Sequence, residues 1–270
     1  MDHNLKILIS ELKQINYNSY LLQTFSKKED FANFCALFLL KATLNNIKNI
    51  TSEEISAQIR FKWWEENLQQ INQNKPVKNH HILRQIAKIH QINPKITEKL
   101  IKLTQNWQKD IEVNLNFTNF NQLEDFINQT YGQFYQTCLM LDQKQPKPDQ
   151  NLIIFAQNLG FLDFFNNFFI AISQNNQNYA KYLPKDLFST LQIPKNHQNK
   201  EKAEENLSKI CQFFTQKCQQ KLQNHPKTPK NLAKTTTLTK IILKKLESHN
   251  YNIKKANLTI NTLDKIKLFF

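Results

Sequence analysis

Apolar residues recur along this chain at three- and four-residue intervals, and alternation of apolar with polar positions is rare, so the pattern predicts helices nearly throughout. Residues 29–49 form the first strong helical stretch, with Phe31, Phe34, Leu37, Phe38 and Leu44 available to one core-facing side. Thr51-Ser52-Glu53-Glu54 has the form of a helix start, with Thr51 or Ser52 as cap, and the helix after it carries Ile55, Ile59, Trp63, Asn67 and Leu68 as its stripe. A loop around Lys75-Pro76 precedes a helix over 80–90, and Asn93-Pro94 opens another that runs to about Val113 with Leu100, Leu103, Trp107 and Ile111 in line. Residues 121–142 are helical again with Gly132 in their middle, Gly160 is expected to open the next helix, and Pro184 closes that region. Beyond a Pro-punctuated loop over 185–200, helices are expected at 201–224 and 231–249, and a short tail ends in Leu268-Phe269-Phe270. A glycine inside a helix costs about 1 kcal/mol relative to Ala, so Gly132 marks either close helix packing or room for a ligand.

These elements add up to an all-α fold, a bundle of helices around one centre. No Pro/Ser-rich linker divides residues 1–270, which are enough to bury one large core, so a single domain is expected. Composition agrees, since Gly occurs only at 132 and 160.

The formal net charge of +14 raises the question of a nucleic-acid partner. Arg occurs only at 60 and 84, however, and the lysines are scattered through a background rich in Asn, Ile and Phe, as drift toward AT-rich codons would produce. No helix-turn-helix, zinc-finger or RNA-recognition pattern accompanies the charge, so no nucleic acid is expected; peripheral contact with an inner membrane stays compatible with it. Cys35, Cys138, Cys211 and Cys218 form no CxxC pair and have no His at ligand spacing, which predicts buried reduced thiols rather than zinc ligands or disulfides. Met1-Asp2-His3-Asn4-Leu5-Lys6 has no signal-peptide pattern, and Asp163, Asn166 and Asn167 interrupt the most apolar stretch, so a cytoplasmic chain that does not span a membrane is expected.

Three stretches carry a resemblance. Ile59-Arg60-Phe61-Lys62-Trp63-Trp64-Glu65-Glu66-Asn67-Leu68 looks like the Arg-x-x-Trp-Trp helix of the squalene/phytoene synthase family, and holds one of two arginines and two of three tryptophans. Leu103, Asp110-Ile111, Phe117-Thr118, Leu123-Glu124-Asp125-Phe126 and Thr130-Tyr131-Gly132 follow in that family's order and spacing. Leu159-Gly160 and Tyr182-Leu183-Pro184 bracket the segment where family synthases carry their second aspartate-rich motif. The resemblance covers about residues 30–255, strongest over 30–190 and weaker over 200–255, and implies the isoprenoid-synthase fold.

Catalytic members ionise a prenyl diphosphate, which needs Mg²⁺ held by carboxylates on two facing helices to neutralise the departing pyrophosphate. On this chain the first aspartate-rich segment falls on Lys41-Ala42-Thr43-Leu44-Asn45-Asn46, which contains no acid. The paired aspartates of the second fall on Ala171 and Asn175, the Glu between them on Gln174, and Asn167 matches a family Asn. Asp163 is the one acid left nearby, expected to be an unpaired charge at a helix N-terminus. Glu53, Glu54, Glu65 and Glu66 are expected to be solvated helix-end charges. Arg60 is expected to reach a carboxylate, with Asp110 the nearest candidate, while Trp63 and Trp107 are buried.

The resemblance therefore implies a non-catalytic member without a metal or other cofactor, close in pattern to bacterial relatives of the mitochondrial complex I assembly factor. Its expected partners are a respiratory-chain subunit or an apolar lipid. The alternative is an active, Mg²⁺-dependent prenyltransferase joining two prenyl diphosphates head to head.

Overall fold

A computed structural model of the chain describes residues 2–51, 53–112, 117–142, 150–174, 182–193, 200–222 and 230–269, and every secondary-structure element among them is helical. Two N-terminal helices that the periodicity does not single out, α1 (His3–Ile15) and α2 (Tyr17–Gln23), meet at Asn16, whose side chain accepts a hydrogen bond from the Ser19 amide and caps α2. Leu8 and Leu12 of α1 pack on α3 (Phe31–Ile50), which is fully buried from Phe34 to Leu40.

The chain leaves α3 differently from the expected cap. Thr51 donates its hydroxyl to the Ile47 carbonyl (2.8 Å) and finishes α3, and α4 (Glu54–Asn72) starts after Glu53 with no side-chain cap. Ser52 lies outside the described residues. The expected stripe of α4 is also rotated. Its buried face is Ala57, Phe61, Trp64, Leu68 and Ile71, spaced four, three, four and three residues, which places more apolar area in the core than the Ile55-Ile59-Trp63 line. Ile55 and Ile59 are consequently 69% and 64% exposed. Helix α4 packs against α6 (Pro94–Glu112), with α5 (His81–Ile92) beside both. Trp107, on the stripe expected for α6, is buried at 2% exposure against Tyr131.

The stretch expected as one helix over 121–142 is α7 (Phe120–Ile127), a π-helical turn over Asn128–Gly132, and α8 (Gln133–Asp142). Against that turn lies α9 (Gln150–Ser173), so Gly160 sits mid-helix rather than opening one. A Cβ on Gly160 would stand 2.4 Å from the Gly132 nitrogen and 2.6 Å from the Tyr131 carbonyl carbon. The two glycines of the chain thus meet, and the absent side chain lets α9 touch the backbone of the π turn. By length and composition α9 could cross a membrane, yet 72% of its apolar window is buried inside the protein, the mark of a core helix.

Beyond α9 come the short α10 (Lys185–Thr190), then α11 (Lys200–Leu222), α12 (Lys230–Glu247) and α13 (Thr262–Phe269). After α12 the chain turns at Asn250-Tyr251, with φ of 50° and 58°, and the Tyr251 amide closes the turn on the Leu246 carbonyl. All four cysteines are free and buried, and burial pushes the Cys35 and Cys211 thiols up to about 12.

Candidate functional site

Where α3, α8 and α9 come together, the Lys41 ammonium forms an ion pair with the Asp163 carboxylate, both side chains at most 9% exposed. The expectation of a lone acid at a helix end is thus corrected. Asp163 lies in the middle of α9, and a buried carboxylate there requires a counter-charge. Lys41 supplies it from 122 positions away in the sequence. The rings of Phe38, Tyr131, Phe134 and Tyr135 surround the ammonium at 5.1 to 5.8 Å. Asn167, one turn on, donates to the Asp163 backbone carbonyl (2.7 Å) and carboxylate (3.1 Å). Burial, and then the Asp163 charge, hold the Tyr135 hydroxyl well above its usual pKa, so it stays protonated.

The described positions aligned with aspartate-rich motifs have different surroundings. Asn45 accepts a hydrogen bond from the Tyr131 hydroxyl (3.1 Å). Thr43 turns the other way, donating to the Leu39 carbonyl and lining a surface groove against Arg60, Trp63 and Trp64. Asn46, next along α3, is half-buried. Ala171 is buried at 8%, while Gln174 is exposed in a groove bordered by Asn167, Ile170 and Tyr17. Asn175 lies outside the described residues. Phe161, Phe164, Phe165, Phe168 and Phe169 are at most 1% exposed and pack ring on ring with Phe214 and one another, filling the space behind the ion pair. Tyr182 closes this core, 5.4 Å edge-on from Phe164 and stacked on Phe117 and Phe126, with Leu183 half-buried and Pro184 buried beside it.

The family model for squalene/phytoene synthase matches residues 12–258. The chain belongs to that family. Among solved structures it is similar to a dehydrosqualene synthase in complex with ligand, at TM-score 0.75 and 15% identity over 98% of this chain and 93% of that one. It is also similar to a ligand complex of TcSQS, at TM-score 0.72 and 9% identity over 100% of this chain and 86% of that one. No curated protein matches it. At these identities the likeness establishes the all-α isoprenoid-synthase fold and nothing finer.

The squalene/phytoene synthase fold raises the question of Mg²⁺, and the described residues do not fit it. Among the described residues no group of three or more His, Cys, Asp or Glu side chains is placed to hold a metal ion. Asp163, the acid nearest the expected site, is neutralised by Lys41 and accepts from Asn167. Glu65, expected as a solvated charge, is a second correction. At 9% exposure its Oε1 accepts from Gln105 of α6 (2.7 Å), which ties α4 to α6, and from Gln69 one turn along α4 (3.1 Å). Glu53, Glu54 and Glu66 are exposed as expected.

The stretch that resembles the family's Arg-Trp-Trp helix lies on α4. Arg60 is exposed and forms no ion pair among the described residues, because burying Phe61 and Trp64 turns the neighbouring position outward. The Asp110 side chain lies outside the described ones. Trp64 is buried and Trp63 half-buried, packed edge-on at 4.9 Å. His80 lies against both, at 5.5 and 5.2 Å, and stacks on His81 at 4.4 Å. Burial, with the His81 and Arg84 charges, holds the His80 imidazole down to about 4. Between that value and the unfolded value near 6.5 the unfolded chain binds the extra proton, so stability rises with pH across this window and is lost as pH falls through it. The melting temperature is therefore expected to drop between pH 6.5 and 4 more steeply than in His80→Gln; parallel curves would show that His80 is not responsible.

Proposed function

We propose that this squalene/phytoene synthase-family protein is non-catalytic, a scaffold or assembly factor of the respiratory complex I type. The single observation that carries this is the Lys41–Asp163 ion pair, which consumes the acid nearest the two motif walls and puts a cation of the protein's own where metal-bound diphosphate chemistry needs free carboxylates. Thr43, Asn45, Ala171 and Gln174 add no acid, and Asn45 is engaged with Tyr131. On this reading the protein needs no cofactor, and its partners are a respiratory-chain subunit or an apolar lipid. The excess of lysine would hold it peripherally at an anionic inner-membrane surface, with no nucleic acid involved.

The test is a product assay. Purified protein given farnesyl or geranylgeranyl diphosphate, Mg²⁺ or Mn²⁺ and NADPH is expected to form no squalene, phytoene or cyclopropyl intermediate above a heat-killed control. An apolar lipid that co-purifies unchanged agrees with the proposal. Product formation would overturn it in favour of a head-to-head prenyltransferase.

A further inference from the structure

Helix α4 buries one apolar face and leaves a second uncovered. Ile55, Ile59 and Trp63 recur every four residues, each step rising about 6 Å, and form a ridge on the outside of the bundle. Ile50, 52% exposed at the end of α3, extends it. Grooves flank the ridge on both sides. One, of about 430 Å³, lies between α3 and α4, is walled by Ile47, Ile50, Trp64 and His80, and has Arg60 in its lining. The other, of about 440 Å³, runs along Gln58, Lys62, Glu66 and Gln108.

From this we infer that α4 is a docking face for a protein partner, and that the docked element is an amphipathic helix with a carboxylate at the edge of its apolar stripe. A ridge between two grooves is the complement of a helix surface, whose own ridges run on either side of a groove. The charge selects the chemistry. Among the described side chains Arg60 is the one ionised group lining the first groove, and it is exposed with no ion pair to any of them, so a partner's Glu or Asp finds a guanidinium beside aliphatic walls. The net charge of +14 steers acidic partners and opposes pairing with a second copy. A bilayer fits less well, because Glu54 and Glu66 are exposed on the same helix, with Glu53 exposed just before it, and carboxylates are repelled by anionic headgroups.

This inference takes its biological use from the scaffold proposal, but its test is separate. The probe is a synthetic, tryptophan-free amphipathic helical peptide with Leu at i, i+3, i+4 and i+7 and one Glu beside that stripe, together with its Gln twin. Binding is read from peptide anisotropy and from the emission of Trp63 and Trp64. The Glu peptide is expected to saturate the protein and to bind about fivefold more tightly than the Gln twin, as one rim ion pair allows. Arg60→Gln should erase that difference, and Ile59→Glu should weaken both peptides at least about tenfold by placing a charge on the ridge. Both positions are exposed, so the helical circular dichroism should be unchanged. Absence of saturable binding, or binding indifferent to Ile59→Glu, would overturn the inference. So would phosphatidylglycerol-vesicle binding or dimerisation that Ile59→Glu abolishes while neither peptide binds. Product formation from prenyl diphosphates would sink the scaffold proposal and leave this titration standing.

Discussion

Gly160→Ala is expected to lower the melting temperature by about 10 °C, while Gly132→Ala leaves it almost where it was. The two substitutions add the same methyl group to the same helix crossing, and their surroundings decide the outcome. At Gly160 the new carbon would meet only backbone: the Gly132 nitrogen at 2.4 Å, the Tyr131 carbonyl carbon at 2.6 Å and the Gly132 Cα at 2.7 Å. Backbone held in a π turn cannot swing aside as a flexible side chain does, so α9 has to move off α7 and α8. That movement breaks the ring contacts of Phe164 with Tyr131 and Tyr182. Overpacking of this kind costs about 3 kcal/mol or more, and a chain of this size loses roughly 2–4 °C for each. At Gly132 the added carbon would find Gln157 Cα at 3.4 Å and side-chain atoms at 3.5 and 3.6 Å, which is ordinary contact. There the gain in helix propensity, about 1 kcal/mol at most, offsets any crowding. Equal losses at the two sites would show that Gly160 is not the contact that sets the crossing.

The same pair of glycines shows what the sequence made legible. Both stood out as rare residues in helical stretches, and close packing was one of two readings for Gly132; that they pack on each other depends on a crossing no local pattern encodes. The core helices from α3 onward were legible because their apolar stripes repeat at helical spacing. Helix α1, with only Leu8 and Leu12 as buried apolar positions, offered too short a stripe. In α4 two apolar lines compete, and periodicity alone could not say which faces the core. The line with Phe61, Trp64 and Leu68 won, which exposed Ile59 and Arg60. The candidate site was legible as a set of positions without carboxylates, counted along the stretches that resemble the family's motifs. The ion pair beside them was not. Lys41 looked like one more lysine in a basic chain and Asp163 like a stray acid, since their pairing across 122 positions exists only once α3 and α9 are side by side.

That pairing makes the second large effect. Lys41→Met is expected to cost about 3–5 kcal/mol, because it strands a carboxylate in the core with neutral partners, Asn167 and the Tyr135 hydroxyl, and no counter-charge. Asp163→Leu should cost less, since the ammonium it strands keeps the four surrounding rings. The double variant, Lys41→Met with Asp163→Leu, is expected to recover most of either loss, because a buried pair replaced by apolar groups of similar volume is often neutral or stabilising. Denaturant unfolding of the four proteins measures the coupling directly. Additive losses, with the double variant as weak as the sum of the singles, would mean that the two side chains act independently and would remove the ion pair as the reason the site lacks a usable acid. A strong coupling with no recovery of prenyl-diphosphate chemistry in Lys41→Met would add a further point: freeing one carboxylate does not restore a metal site, because Thr43, Asn45, Ala171 and Gln174 supply no second ligand.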